Sequence, residues 1–74
     1  MSKLPAISDD DVVRALERLG FRRARQRGSH VSMVRDDPFA AVTVPMHKEV
    51  ARGTLRSIIR TAGVSVEEFV THVR

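Results

Sequence analysis

The chain predicts an α+β fold, a three-stranded antiparallel sheet with helices packed on one face. Three observations predict it. An N-terminal segment and a later one carry apolar residues at helical spacing and end in glycine, the three segments between them read at the two-residue period of strands, and short turns join those strands.

Leu4-Pro5-Ala6-Ile7 reads as an extended lead-in. Ser8 and Asp11 have the spacing of a capping box, and Asp9, Asp10 and Asp11 place anions where a helix dipole favours them. Val12, Leu16 and Leu19 recur at i, i+4 and i+7, with Val13 widening the stripe, and Gly20 follows as a C′ glycine. The first helix therefore runs from about Asp9 to Leu19.

From Phe21 the period changes. A strand through Arg25, a turn at Arg27-Gly28 and a second strand from Ser29 to about Arg35 form a hairpin. Asp36-Asp37-Pro38-Phe39 is the next turn, and Ala40–Val44 is a third strand closed by Pro45. Counting outward from the first turn sets Arg25 opposite His30, Ala24 opposite Val31 and Arg23 opposite Ser32. Counting from the second sets Met33 opposite Val42, Ser32 opposite Thr43, Val31 opposite Val44 and Pro45 opposite His30. Cross-strand partners share a face. Ala24, Val31, Met33, Val42 and Val44 are thus expected in the core, and Arg23, Arg25, His30, Ser32 and Thr43 on the open side.

Leu55, Ile58, Ile59 and Ala62 make the stripe of a second long helix stopped by Gly63. Ser65 and Glu68 form another capping box, opening a short terminal helix with Phe69, Val70 and Val73. The order α-β-β-β-α-α puts the helices on one side of the sheet and leaves the other free.

At 74 residues the chain reads as one domain, residues 1–74, with a small core. It has no cysteine, so neither disulfides nor thiolate metal sites are expected. No apolar run is long enough to span a bilayer and the N-terminus lacks a signal-peptide core, which predicts a cytoplasmic protein. The net charge is +4, and eleven of the thirteen cations are arginine, whose planar fork matches phosphate oxygens in pairs. That bias favours a polyanionic partner over a merely solvated face.

His30 is the candidate for proton transfer. Imidazole changes charge near neutral pH, and cutting RNA requires the ribose 2′-hydroxyl to lose a proton and the leaving 5′-oxygen to gain one. Arg23 and Arg25, placed beside it by the count, could hold the phosphate. Judged by the residues alone, a solvated surface histidine is the reading that prevails over the catalytic one. Arg27, Ser29 and Ser32 flank His30, and His47 and Lys48 follow the third strand. His47 could be a second acid or base, a phosphate ligand or a loop residue. Arg52 opens the second helix, where free amides also favour phosphate. The three histidines match no zinc spacing, no acidic residue is placed to make a serine triad, and the glycines are too dispersed for a phosphate loop. All three phenylalanines can be placed in or near the core, so a base-stacking platform is not expected, and binding should lean on phosphate and shape.

Leu16-x-x-Leu19-Gly20-Phe21, Gly28-Ser29-His30, Thr43-Val44-Pro45-Met46-His47 and Gly53-Thr54-Leu55-Arg56-x-Ile58, in this order and spacing, resemble the HicA toxins. The resemblance spans about Leu4 to Phe69. It implies a fold like that of double-stranded-RNA-binding domains, ribosome-independent cleavage of mRNA, and a HicB-type antitoxin that covers the active histidine; no metal ion is expected to be needed. The histidine of the family's Gly-Ser-His motif corresponds to His30, and its proline-x-histidine to Pro45 and His47. Strand one departs from the family, with Arg22, Arg23 and Arg25 around a lone Ala24 where larger aliphatic residues are usual. Two other readings stay open: a non-catalytic RNA-binding module of the same fold, and a protein-interaction domain. Charge does not separate the first from a nuclease, since both bind RNA in a salt-dependent way. Turnover does.

Overall fold

The structure, a computed structural model, describes residues 4 and 6–73. Its elements follow in the order α1 (Asp9–Arg18), β1 (Arg22–Arg27), β2 (His30–Asp36), β3 (Phe39–Pro45), α2 (Arg52–Ala62) and α3 (Val66–Thr71). The strands form one antiparallel sheet in the order β1-β2-β3, and the α+β arrangement expected from the sequence is the one observed. Of the lead-in, Pro5 lies outside the described residues; Ile7 bridges Val50, whose amide donates to the Ile7 carbonyl at 3.0 Å.

The helix ends are written in the sequence. The Ser8 hydroxyl accepts from the Asp11 amide and that of Ser65 from the Glu68 amide, satisfying donors that have no partner inside a helix. At the other end of α1 the amides of Gly20 and Phe21 donate to the carbonyls of Glu17 and Leu16, with Gly20 at φ 98°. This paired closure needs a left-handed residue, which glycine adopts without a side-chain clash. Gly63 closes α2 in the same way, at φ 79°.

One core joins the sheet to the helices. Val31, Met33, Ala40, Val42 and Val44 from the sheet meet Val12, Val13, Leu16, Leu55, Ile58, Ile59 and Phe69 from the helices, all buried. Burying a side chain of this size contributes about 1.5–3 kcal/mol. Strand β3 alternates without a break, with Ala40, Val42 and Val44 buried between exposed Phe39, Ala41 and Thr43. The β2–β3 register is the one counted from the sequence, with His30 opposite Pro45, Val31 opposite Val44, Ser32 opposite Thr43 and Met33 opposite Val42.

The first hairpin differs from its expectation. Its turn is Gly28-Ser29, not Arg27-Gly28, so Arg27 pairs with His30, Gln26 with Val31 and Arg25 with Ser32. The register then shifts between Arg23 and Arg25, and Arg23 pairs with Met33 and Arg22 with Val34. Ala24 is the extra residue of this bulge, which flips the side-chain phase of everything before it. Two placements fail as a result. Arg23 shares the helix-facing side with Met33 instead of the side of His30, and its Nε lies 3.7 Å from the Glu17 carboxylate of α1. Ala24, expected in the core, is exposed, as is all of β1. A third correction concerns Phe39, expected in or near the core: it is 73% exposed.

Arg35 fastens the far end of the sheet to the helices. Its Nε donates to the Pro38 carbonyl and its Nη2 to the Ala62 carbonyl, both at 3.0 Å, and its guanidinium lies 4.8 Å from the centre of the Phe21 ring. A cation suits the last carbonyls of α2, where the helix dipole is negative. Replacing Arg35 with alanine is expected to lower stability by about 2 kcal/mol, because a charged donor to two carbonyls is lost. A fall in the urea midpoint with an unchanged slope is the result that checks it.

Candidate functional site

The face of the sheet opposite the helices is assembled by alternation. Val31 and Met33 are fully buried, so their neighbours on β2, His30, Ser32, Val34 and Asp36, point the other way. Pairing adds Arg27 beside His30, Arg25 beside Ser32 and Arg22 beside Val34 from β1, and Pro45, Thr43, Ala41 and Phe39 from β3. The result is a strip of three lines, with arginines along one margin, the imidazole at one end of the middle line and an aromatic ring at the far end of the third.

The His30 ring is exposed and makes no hydrogen bond or ion pair with any described residue. Arg25 and Arg27 are exposed as well and have no acidic partner among the described residues. Arg22 differs, because its Nη1 donates to the Asp36 carboxylate at 2.7 Å. The cations free to meet a phosphate beside His30 are therefore Arg25 and Arg27, with Arg27 directly opposite.

The loop after β3 is tied to this end of the sheet. The Met46 amide donates to the Ser29 carbonyl at 2.6 Å, and the His47 amide to the Pro45 carbonyl at 2.9 Å. Because Pro45 pairs with His30, exposed His47 and Lys48 leave the sheet from the imidazole's end. Ser29 contributes its backbone carbonyl to this link. Arg52 lies further along, in the first turn of α2, reached from the face through residues 46–51. That helix begins at Ala51 with no side-chain cap and no acidic residue in its first turn, which leaves its N-terminal amides open to an anion.

The structure thus brings His30, Arg25, Arg27 and Ser32 onto one face, places His47 and Lys48 at its edge, sets Arg52 apart and removes Arg23. The sequence reading did not single out Arg22 or Phe39 for this face. For Phe39 a signal was present, since counting back in twos from Val44 makes Ala40 a core residue and Phe39 its outward neighbour. The bulge at Ala24 left no such mark.

A groove of about 400 Å³ lies beside the face, between β3 and α2, lined in part by Thr43, Thr54, Ser57 and Thr61. It offers hydroxyl groups but no titratable side chain. Among the described residues no group of three or more His, Asp or Glu side chains could hold a metal ion, and no helix is long and apolar enough to cross a membrane.

Since the His30 ring supports nothing around it, His30→Ala is expected to fold with stability within about 0.5 kcal/mol of the parent. Matching thermal unfolding curves check this, and they make any loss of activity in that variant a chemical loss.

Residues 10–64 match the family model described as HicA toxin of bacterial toxin-antitoxin. No curated protein matches the chain.

Proposed function

Because the chain belongs to the HicA toxin family of bacterial toxin–antitoxin systems, we propose that it is an endoribonuclease that cuts mRNA in the cytoplasm, without a metal ion or the ribosome, with His30 moving the proton. The observation that carries this reading is the placement of an uncommitted imidazole on an open sheet face directly opposite Arg27, with Arg25 one pairing step along.

In the proposed reaction the neutral His30 ring takes the proton of a ribose 2′-hydroxyl. The freed oxygen bonds to the adjacent phosphorus, the bond from phosphorus to the 5′-oxygen breaks, and that oxygen leaves with a proton given by a protonated His47 or handed back by the His30 imidazolium. The products are a 2′,3′-cyclic phosphate and a 5′-hydroxyl. Charge gathers on the non-bridging oxygens as the new bond forms, and the guanidinium groups of Arg25 and Arg27 are the donors that would hold them. Ser32, whose side chain shares the face, is the neutral donor beside them. The loop tied to Ser29 makes His47 the candidate second proton carrier, with Lys48 and Arg52 holding phosphates further along the strand.

The same exposure supports the partner reading. A HicB-type antitoxin that lay across the open face would bury His30 and cover Arg25 and Arg27 in one contact.

Incubation of the chain with RNA in EDTA is expected to give fragments with 2′,3′-cyclic phosphate ends. His30→Ala should slow this by about 10²- to 10⁴-fold and relieve the growth arrest that expression of the parent causes. RNA that is bound but never cut would favour the non-catalytic module, and equal toxicity of the two chains would refute the role of His30. For phosphate contact, the salt dependence of binding is the measurement. Arg25→Ala and Arg27→Ala should each reduce the log–log slope by about 0.7 on single-stranded RNA, while Arg23→Ala leaves it near the parent value.

A further inference from the structure

We propose that Phe39 is a base-stacking platform at the far end of the open face, which makes single-stranded RNA the substrate class of the His30 site. The proposal rests on the reading of that face as an RNA site and adds to it which form of RNA the face accepts.

Phe39 is the one large apolar side chain that stands exposed among the described residues, at 73%. Its exposure does nothing for the fold, because Ala40 and Val42 supply the buried contacts of this part of β3. It lies on the face of His30 and not on the helix side: Phe39 pairs with Asp36 as Pro45 pairs with His30, and both pairs are in phase with Ser32 and Thr43. Six residue-to-residue steps of strand separate His30 from Asp36, so ring and imidazole stand about 20 Å apart along the sheet. Between them the face is low, with the hydroxyls of Ser32 and Thr43, half-buried Val34 and small Ala41. The cationic margin ends beside the ring, where Arg22 is bonded to Asp36 at 2.7 Å and removes the negative charge that would otherwise face an incoming strand.

An exposed phenyl ring on a low polar sheet fits the flat side of a nucleobase. Such stacking accepts any base and adds to a backbone held by cations. A duplex keeps its base faces inside its own stack and has none to offer, whereas a single strand laid from Arg27 towards Arg22 can turn a base onto the ring. A protein anchor is the poorer match. Aromatic residues that anchor protein contacts sit in well-packed apolar surroundings, and the neighbours of Phe39 on this face are a charged pair and an alanine.

The test uses the full chain with His30→Ala as background, so that RNA stays intact and binding is read apart from cutting. The probes are fluorescein-labelled single-stranded RNA long enough to cover the whole strip, a shorter piece covering only the His30 half, and a duplex of the long sequence. Phe39→Ala is expected to weaken binding of the long strand by about 5- to 100-fold, with the short strand and the duplex unchanged. Phe39→Leu, which keeps apolar bulk without the ring, should lose nearly as much, and Phe39→Trp should bind as the parent does. The chain has no other tryptophan, so emission from Phe39→Trp should be quenched by the long strand alone. Unchanged affinity in Phe39→Ala overturns the proposal, as do full binding by Phe39→Leu or equal losses on long and short strands. A parent chain that fails to cut RNA would refute the enzyme reading and leave this result standing or falling by itself.

Discussion

The strict alternation of β2 against the helical layer is the constraint on which the rest depends. Val31 and Met33 are fully buried against helix residues such as Leu16 and Leu55. A shift of one residue would expose both and drive His30 and Ser32 into an apolar interior with nothing to bond to. The same apolar contacts that stabilise this small domain therefore hold the imidazole outside. Strand β3 repeats the condition, and Pro45 opposite His30 fixes where the neighbouring loop departs.

Strand β1 obeys a looser rule. It is an edge strand with no buried residue, so no packing term penalises a bulge there. The bulge at Ala24 sorts four arginines between two sides. Arg25 and Arg27 fall beside His30, Arg22 is spent on Asp36, and Arg23 turns back towards Glu17 on α1. Positive charge is thus concentrated at the histidine end, and the other end is nearly neutral with an aromatic ring. An edge strand built of arginines also resists pairing with a neighbouring chain, since like charges would meet. This gives a physical reason for the polar composition of the strand.

What was legible in the sequence follows from the same division. Helices α1 and α2 announced themselves through apolar stripes and terminal glycines, and α1 and α3 through capping serines, because each device is local and carries its own residue type. The β2–β3 register was legible because both strands have one buried side, so only one pairing satisfies both patterns. The β1–β2 register was not. A row of arginines broken by one alanine has no apolar phase to read, and the turn sits one residue later than the Arg27-Gly28 placement. The open face was legible for His30 and Ser32, which lie on β2; Arg25 kept its side but pairs with Ser32 instead of His30, and Arg23 was illegible because its position depends on the bulge. Phe39 was misplaced for a different reason: its hydrophobicity argued for burial, while the phase set by Ala40 and Val42 argued against it, and phase prevailed.

The open sheet is the surface on which this account locates RNA, and backbone amide spectra of a ¹⁵N-labelled His30→Ala chain titrated with RNA test that location most directly. The predicted result is that resonances of residues 25–32, 43–48 and the Phe39 turn move together while those of α1 and α3 stay in place. Shifts gathered on α1 and α3, with the His30 strand silent, would contradict it.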